Sequence, residues 1–198
     1  MNILFYTPLN TRCLDIESQA IEFSKSGHKI FLLTQNESAI NHQMFKSHGF
    51  SVHDSSTETY GRRLTVLSRL VKLIRFCWKH NIDLIYAHLE PANFIAVLAQ
   101  YFIKSRVIVC RHHVDAARLY SFENDLSYRL TYKLAKDIIV VSNRAKDYMV
   151  HHEQVNSNRI HVVPLSYNFD LYQPIIQENV EAILKKYSSD ILLLSVFR

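Results

Sequence analysis

IDLIYAHLEPANFIAVLAQYFIKSRVIVCRHHVD, residues 82–115, decides the fold. IDLIYA is a short apolar run opened by a charged residue, which reads as a buried strand. PANFIAVLAQYFI carries apolar residues at helical spacing, with Pro91 at its start, where a helix tolerates the missing amide. RVIVC is β-branched and apolar, a second strand. Strand, helix and strand in this order fit two parallel strands joined by a crossover. Both strands run into histidine, at His88 and, after Arg111, at His112 and His113. Parallel strands place these imidazoles at one edge of one sheet, and open α/β sheets hold their ligands at the carboxyl ends of their strands.

The pattern continues outward in both directions. Asn2–Tyr6 reads as a strand and Thr7–Arg12 as a polar loop broken by Pro8. Asp15–Ser26 has helical spacing (Ile16, Ala20, Phe23), Gly27 is a stop, and Lys29–Thr34 is a second strand. A weaker helix spans Ser38–His48 before Gly49, then a short strand, Phe50–His53, and a polar loop, Asp54–Gly61. Arg62–His80 is the clearest helix, with Leu64, Leu67, Leu70/Val71, Ile74 and Cys77/Trp78 as its expected apolar stripe. Beyond the opening stretch, Leu126, Leu130 and Leu134 mark a helix within Tyr120–Leu134. Asp137–Ser142 is a strand, and Ser142 or Asn143 caps the helix that follows. Arg159–Val163 is another strand. Gln177–Tyr187 reads as a helix and Ile191–Arg198 as an apolar strand. Strands alternate with helices throughout, so the class is α/β, a mostly parallel sheet with helices on both faces.

Composition narrows the chemistry. The 198 residues are 48% hydrophobic and carry a formal charge of +5 that is spread along the chain. No basic arm suggests a nucleic-acid partner. The first residues, MNILFYTPLN, read as a first strand and not as a signal peptide. No run approaches the ~18–20 apolar residues of a membrane span. The three cysteines have unrelated spacing, which suits a reducing cytosol. With only three glycines the chain has neither GxGxxG nor GxxxxGK[ST], and GxSxG and HExxH are also absent. Neighbouring histidines, as in His112/His113, lack the spacing of a chelating helix face. No metal and no resident cofactor are expected.

The polar residues at strand ends are the candidate site. Asn10, Thr11 and Arg12 follow the first strand and suit a sugar or phosphate, or simply form a polar turn. His88 with Glu90 opens a helix, where the electropositive start favours an anion or polar ligand. Arg111 suits a phosphate or carboxylate. Of His112 and His113, one is expected to be functional and the other structural. Ser142 and Arg144 start the next helix at the same edge, as ligand contacts or as a cap. The helix Arg62–Lys79 carries Arg62, Arg63, Arg69, Lys72, Arg75 and Lys79. It either packs on the sheet with a solvated basic face or rests on an anionic membrane surface.

At these residues the chain resembles the N-terminal domain of the GT-B glycosyltransferases, in particular the large retaining family numbered four. IEFSKSGHKIFLLT resembles that family's helix, G-H-x-V and strand. IDLIYAHLEPANFIA resembles its D-[VI]-[VI]-H-x-H strand, with Tyr86 where the first histidine is common. RVIVCRHHVD resembles its v-v-t-x-H strand and aligns His112 with the family's histidine. AKDIIVVSNRAKDYM and RIHVVPLSYNFDLYQP resemble the segments that close the domain, and ILLLSVFR resembles the first strand of the second domain. Order and spacing over nearly the whole chain carry the resemblance. The chain departs from the pattern in three places. Asp15-Ile16-Glu17-Ser18 stands where many members have G-G-x-E. Ser166 replaces a glycine, with Asn168 where Asp is common. The K-G and E-x7-E motifs of the donor-binding domain do not occur before Arg198.

The resemblance implies a Rossmann-like domain over residues 1–175, then a linker helix and the first strand of a C-terminal domain over 176–198. It implies transfer of a sugar from a UDP- or GDP-sugar co-substrate to a glycan or glycolipid. His112 would line the cleft and contact the transferred sugar. Asn10, Thr11, Arg12, His88, Glu90, Arg111, His113, Ser142 and Arg144 would be acceptor-side or phosphate-side contacts. The missing second domain, in cis or trans, would bind the donor, so the chain alone is expected to be inactive, a truncated form. A cytoplasmic place is expected, with peripheral contact at the inner face of the membrane. The alternative is a non-catalytic module that binds a glycan or a protein partner.

Overall fold

The computed structural model describes residues 1–9, 11–36, 40–56, 62–112 and 126–168, together with Glu181 and Lys185; the side chains of 62, 63 and 126 fall outside this description. The chain divides into two compact units, Met1–Tyr167 and Asn168–Arg198. The sheet belongs to the first. The helix expected at Gln177–Tyr187 lies almost wholly outside the described residues, and the strand expected at Ile191–Arg198 does so entirely.

Seven parallel strands form the sheet: β1 (Asn2–Thr7), β2 (Lys29–Thr34), β3 (Ser51–Asp54), β4 (Leu84–His88), β5 (Arg106–Arg111), β6 (Asp137–Val140) and β7 (Ile160–Val162). Their spatial order is β3-β2-β1-β4-β5-β6-β7. The described helices are α1 (Leu14–Lys25), α2 (Ile40–Ser47), α3 (Arg62–His80), α4 (Ala92–Ala99), α5 (Leu126–Leu134) and α6 (Asn143–His151), with a 3₁₀ turn at Ser157–Arg159. This is a Rossmann-like topology, and its order reverses between β1 and β4.

The strands are apolar along their length because both faces are covered. In β1, Leu4 and Tyr6 point into a core formed with Leu73 and Cys77 of α3, Ile95 and Ala96 of α4, and Met149 of α6. Ile3 and Phe5 point the other way, against Ile16 and Ala20 of α1 and Phe45 of α2. Alternation along each strand sorts its side chains between these two cores. Helices α1 and α2 each end on a glycine with positive φ, Gly27 at +81° and Gly49 at +77°. The amides beyond fold back, His28 onto the Phe23 carbonyl and Phe50 onto the Phe45 carbonyl, each at 3.1 Å. That six-to-one closure needs the left-handed residue that glycine supplies without strain.

One sequence expectation fails in detail. Helix α3 does not bury the stripe that its spacing suggests. Leu73 and Cys77 are buried, with Val66, Leu70, Ile74 and Phe76 packed beside them. Leu64 is 58% exposed, Leu67 56% and Trp78 63%. The helix has more apolar positions than one face holds, and the face that meets α4 and the sheet lies about a quarter turn from the expected one.

Candidate functional site

The site forms at the carboxyl edge of the sheet, next to the switch between β1 and β4. There α1 leaves β1 toward one face and α4 leaves β4 toward the other, which opens a crevice. The parallel register aligns His88 with Cys110, so the end of β5 carries His112 just beyond His88. Tyr86, His88 and Cys110 fall on the α1 side of the sheet, as alternation requires.

Three side chains from three elements meet here. His88 is 1% exposed and its ring stacks on Phe5, with centroids 6.0 Å apart and planes at 17°. Its Nδ1 lies 3.1 Å from Nε2 of His112. The other nitrogen of His112, Nδ1, lies 3.7 Å from Oδ2 of Asp15 in the first turn of α1. Burial, and secondarily the neighbouring His112, pushes the His88 imidazole well below its usual pKa, so His88 is neutral. The protons are assigned from this network. The assignment that leaves least uncompensated puts the His88 proton on Nδ1, donating to Nε2 of His112. The His112 proton then sits on Nδ1, facing Asp15. The buried Nε2 of His88, which has no hydrogen-bond partner among the described residues, is left as a bare lone pair and not as an orphaned N–H.

Asp15, His88 and His112 each offer a ligand atom within 4.8 Å of the others, a spacing at which a metal ion is sterically possible. The geometry argues against chelation. The two nitrogens of His112 face two different neighbours, and one of those separations is a hydrogen-bond length. The set is a relay from carboxylate to imidazole to imidazole. A small crevice beside it is lined by Gln19, Tyr86, His88, His112, Ile139 and Leu165. Between His88 and Pro91, Leu89 holds φ +65°, a conformation that costs a bulky residue of order 1 kcal/mol or more and that clusters at functional sites.

The loop after β1 is anchored by charge. Glu17 is fully buried, and its carboxylate accepts hydrogen bonds from Arg12 Nε at 2.8 Å, Arg12 Nη2 at 3.2 Å and His48 Nε2 at 2.9 Å. Burial raises this carboxyl, but the Arg12 and His48 hydrogen bonds outweigh it and hold the group below its ordinary value. Arg12 therefore ties the loop to α1 and, through Glu17, to α2. Thr11 is exposed in the same loop. Asn10 and His113 lie outside the described residues.

The remaining candidates have other surroundings. Arg111 lies on the opposite face of β5 from His112. It is 1% exposed, bonds Glu153 Oε2 at 2.5 Å, and has the rings of Tyr128, Tyr132 and Tyr148 at 5.7, 5.2 and 5.7 Å from its guanidinium carbon. Arg111 also lines the small crevice beside His88 and His112, but its guanidinium is held by Glu153 and not by the relay. Glu90 Oε2 accepts from the Phe94 amide at 3.3 Å and so braces the start of α4. Ser142 Oγ accepts from the Ala145 amide at 3.2 Å, which makes Ser142 the cap of α6. Arg144 is exposed in the first turn of that helix.

Sequence reasoning did not pick out Asp15, Glu17, His48 or Glu153 as partners. For Asp15 and Glu17 a signal was present: two acids in the first turn of the helix that follows β1, facing a loop with an arginine. His48 and Glu153 reach their partners across 31 and 42 residues of sequence, and no local pattern marks them.

Comparison with known proteins identifies the family and the fold. The family described as Glycosyltransferase Family 4 matches residues 16–171. HepE of Anabaena, solved with UDP and glucose, superimposes with a TM-score of 0.74 at 14% identity, over 95% of this chain and 50% of its own. A glycosyltransferase from Rickettsia africae gives 0.65 at 14% identity, over 96% and 50%. MurG of Acinetobacter baumannii gives 0.65 at 8% identity, over 88% and 48%. At such identities the likeness shows the fold, and the chain spans about half the length of these structures. No curated protein sequence matches it. The match over residues 16–171 and the half-length GT-B fold together show that the chain belongs to Glycosyltransferase Family 4, of which it carries the N-terminal domain.

Proposed function

We propose that this domain forms the acceptor-side wall of a glycosyltransferase that moves a sugar from a UDP- or GDP-sugar to a glycan or glycolipid. The observation that carries this reading is the Asp15–His112–His88 relay at the switch point of the sheet. In the reaction, the bond from the anomeric carbon to the nucleotide diphosphate breaks. The acceptor oxygen takes its place with retention, and the hydroxyl proton passes to the departing diphosphate. His112 touches the transferred sugar in this reading: its Nε2 exchanges the His88 N–H for a sugar hydroxyl, from which it accepts, while Asp15 keeps the ring oriented. Thr11, Arg12 and Arg144 flank the same edge and serve the acceptor or the phosphates. A donor-binding domain, in cis or in trans, faces this wall, and turnover requires both.

The test is transfer of labelled sugar from UDP- and GDP-sugars to a glycolipid extract by the domain joined to a donor-binding half. Transfer is expected from the joined protein and not from the 198-residue chain. His112→Ala in the joined protein is expected to lower kcat/KM about a hundredfold, the scale of one lost hydrogen bond to a polar transition state. No transfer from any nucleotide sugar, or full activity in His112→Ala, overturns the proposal.

A further inference from the structure

Between α5 and the end of α6 lies a cleft of about 330 Å³ that the proposed transfer leaves unused. Its lining follows from helical spacing. Along α5, Tyr128 and Tyr132 are four residues apart, and Arg129 and Lys133 repeat that spacing one position on. They form two neighbouring rows on one helix. The tyrosine row is buried, with its rings 5.7 and 5.2 Å from the Arg111 guanidinium carbon. The cationic row is exposed and lines the cleft. From α6 come Tyr148 and His152, again four apart, with ring centroids 4.7 Å from each other and planes at 30°. Gln154 then holds φ +56°, and the Val155 amide donates to the Met149 carbonyl at 3.0 Å. The chain so turned back adds Glu153 and Gln154 to the lining.

Three kinds of contact meet in this cleft. Tyr148 and His152 supply flat rings, whose faces suit the C–H face of a saccharide ring. Glu153, Gln154 and the carboxyl end of α6 supply acceptors for hydroxyl groups. Arg129 and Lys133 supply charged donors, and among the described residues neither is paired with an acid. The one carboxylate of the lining, Glu153, is already bonded by Arg111 and, at 3.4 Å, by the Tyr128 hydroxyl. A surplus of positive charge is therefore left for a ligand. The electronegative end of α6 disfavours a doubly charged phosphate in the same place. The volume stands at the lower end of the range for ligand pockets, about 300–1,000 Å³, which fits a ligand of one or two rings.

We infer that this cleft binds a carboxylate-bearing sugar unit, a hexuronic acid of a glycan. The sugar ring lies against Tyr148 and His152, its hydroxyls meet Glu153 and Gln154, and its carboxylate meets Arg129 and Lys133. The cleft belongs to the Arg111 face of the sheet, opposite the side on which His112 faces Asp15, so it is separate from the relay. A polysaccharide bound there is held to the domain at a second point, which raises its effective concentration without any new contact at the relay. This inference stands apart from sugar transfer and is tested without it.

The 198-residue chain is titrated by NMR with the methyl glycosides of glucuronic and galacturonic acid, and with those of glucose and galactose. Glutarate and inorganic phosphate serve as anions without a sugar ring. At least one uronide is expected to bind about tenfold or more tightly than its neutral counterpart, the scale of one charge-assisted hydrogen bond, and more tightly than either plain anion. The Gln154 side-chain amide and the His152 ring should shift with it. Arg129→Ala/Lys133→Ala is expected to lower uronide affinity about tenfold or more, to the level of the neutral glycoside. His152→Ala is expected to weaken the uronide about threefold through loss of the ring. His112→Ala is expected to leave this binding unchanged. Arg129, Lys133 and His152 are exposed, and an unchanged melting temperature confirms that their variants are folded. No uronide binding below about 10 mM, or a uronide no tighter than its neutral counterpart, overturns the inference. So does glutarate or phosphate binding as tightly as the uronide, which reduces the cleft to an anion patch. Loss of binding in His112→Ala also overturns it, because the sugar then sits at the relay.

Discussion

Glu153→Ala is expected to destabilise the domain more than any surface change, although Glu153 lies outside the candidate site. The reason is Arg111. Its side chain is 1% exposed, and Glu153 is a counter-charge to it at 2.5 Å. The three tyrosine rings around the guanidinium remain in the variant, so their attraction is the same before and after. Removing one partner of a buried pair costs about 3–5 kcal/mol, chiefly because the remaining charge loses an attraction that offset its desolvation. Glu153 itself is 18% exposed and borders a cleft of about 330 Å³ that also touches Tyr128, Tyr132 and Tyr148. Water entering by that route shields part of the charge, so the lower end, ~3 kcal/mol, is expected. For a chain of this length that is a fall in Tm of about 6–12 °C. Urea unfolding followed by far-UV circular dichroism at pH 7 measures it. Arg111→Met in the Glu153→Ala background is expected to recover most of the loss, since both charges then leave together. The double-mutant cycle should give a coupling of about 2 kcal/mol or more. A Glu153→Ala variant within about 0.5 kcal/mol of the parent would show that the pair carries no such burden and would refute the reasoning.

Four further outcomes are expected. Glu17→Gln removes a carboxyl whose folded pKa is depressed. Its stability deficit relative to the parent should be full above the ordinary Glu value of 4.5 and should vanish as pH falls through the lower folded value, as read by urea midpoints from pH 7 to 3. The His88 imidazole should stay neutral by NMR well below 6.5. Its folded pKa is lowered, so the parent gains its full contribution above 6.5 and loses it as pH falls toward the folded value, a slope that His88→Asn should flatten. Ser142→Ala should cost about 1 kcal/mol through loss of the α6 cap, whereas Asp137→Asn, which breaks a pair with an exposed Arg106, should cost under about 1 kcal/mol. A thiol reagent should modify half-buried Cys13 first. Cys77, whose thiol burial raises to about 12, should react only on unfolding, as should Cys110, which burial raises further.

The fold was legible because a parallel sheet writes itself as apolar runs between helical segments. Both cores, and the meeting of His88 with His112, follow from β4 and β5 lying side by side in register. Two things were not legible. The buried side of α3 was misread because its sequence places apolar residues on two arcs, and only the position of α4 and the sheet decides which arc is covered. The surroundings of Arg111 were not readable because its counter-charge stands 42 residues away and its cage comes from two helices. Asp15 lay between these cases. Its helix was expected and its edge was implied, but its distance to His112 depends on how far α1 tilts over β1.

The end of β5 sends the side chains of two consecutive residues, Arg111 and His112, to opposite faces of the sheet. One is held among tyrosines with Glu153, the other faces His88 and Asp15. Strand parity alone keeps them apart. A single-residue insertion or deletion within residues 106–111 would send a guanidinium toward Asp15 and an imidazole toward Glu153, damaging both places at once. Length variation in descendants of this chain should therefore collect in the connections before Arg106 and after His112. The strand itself should hold its count of residues even where its apolar side chains drift.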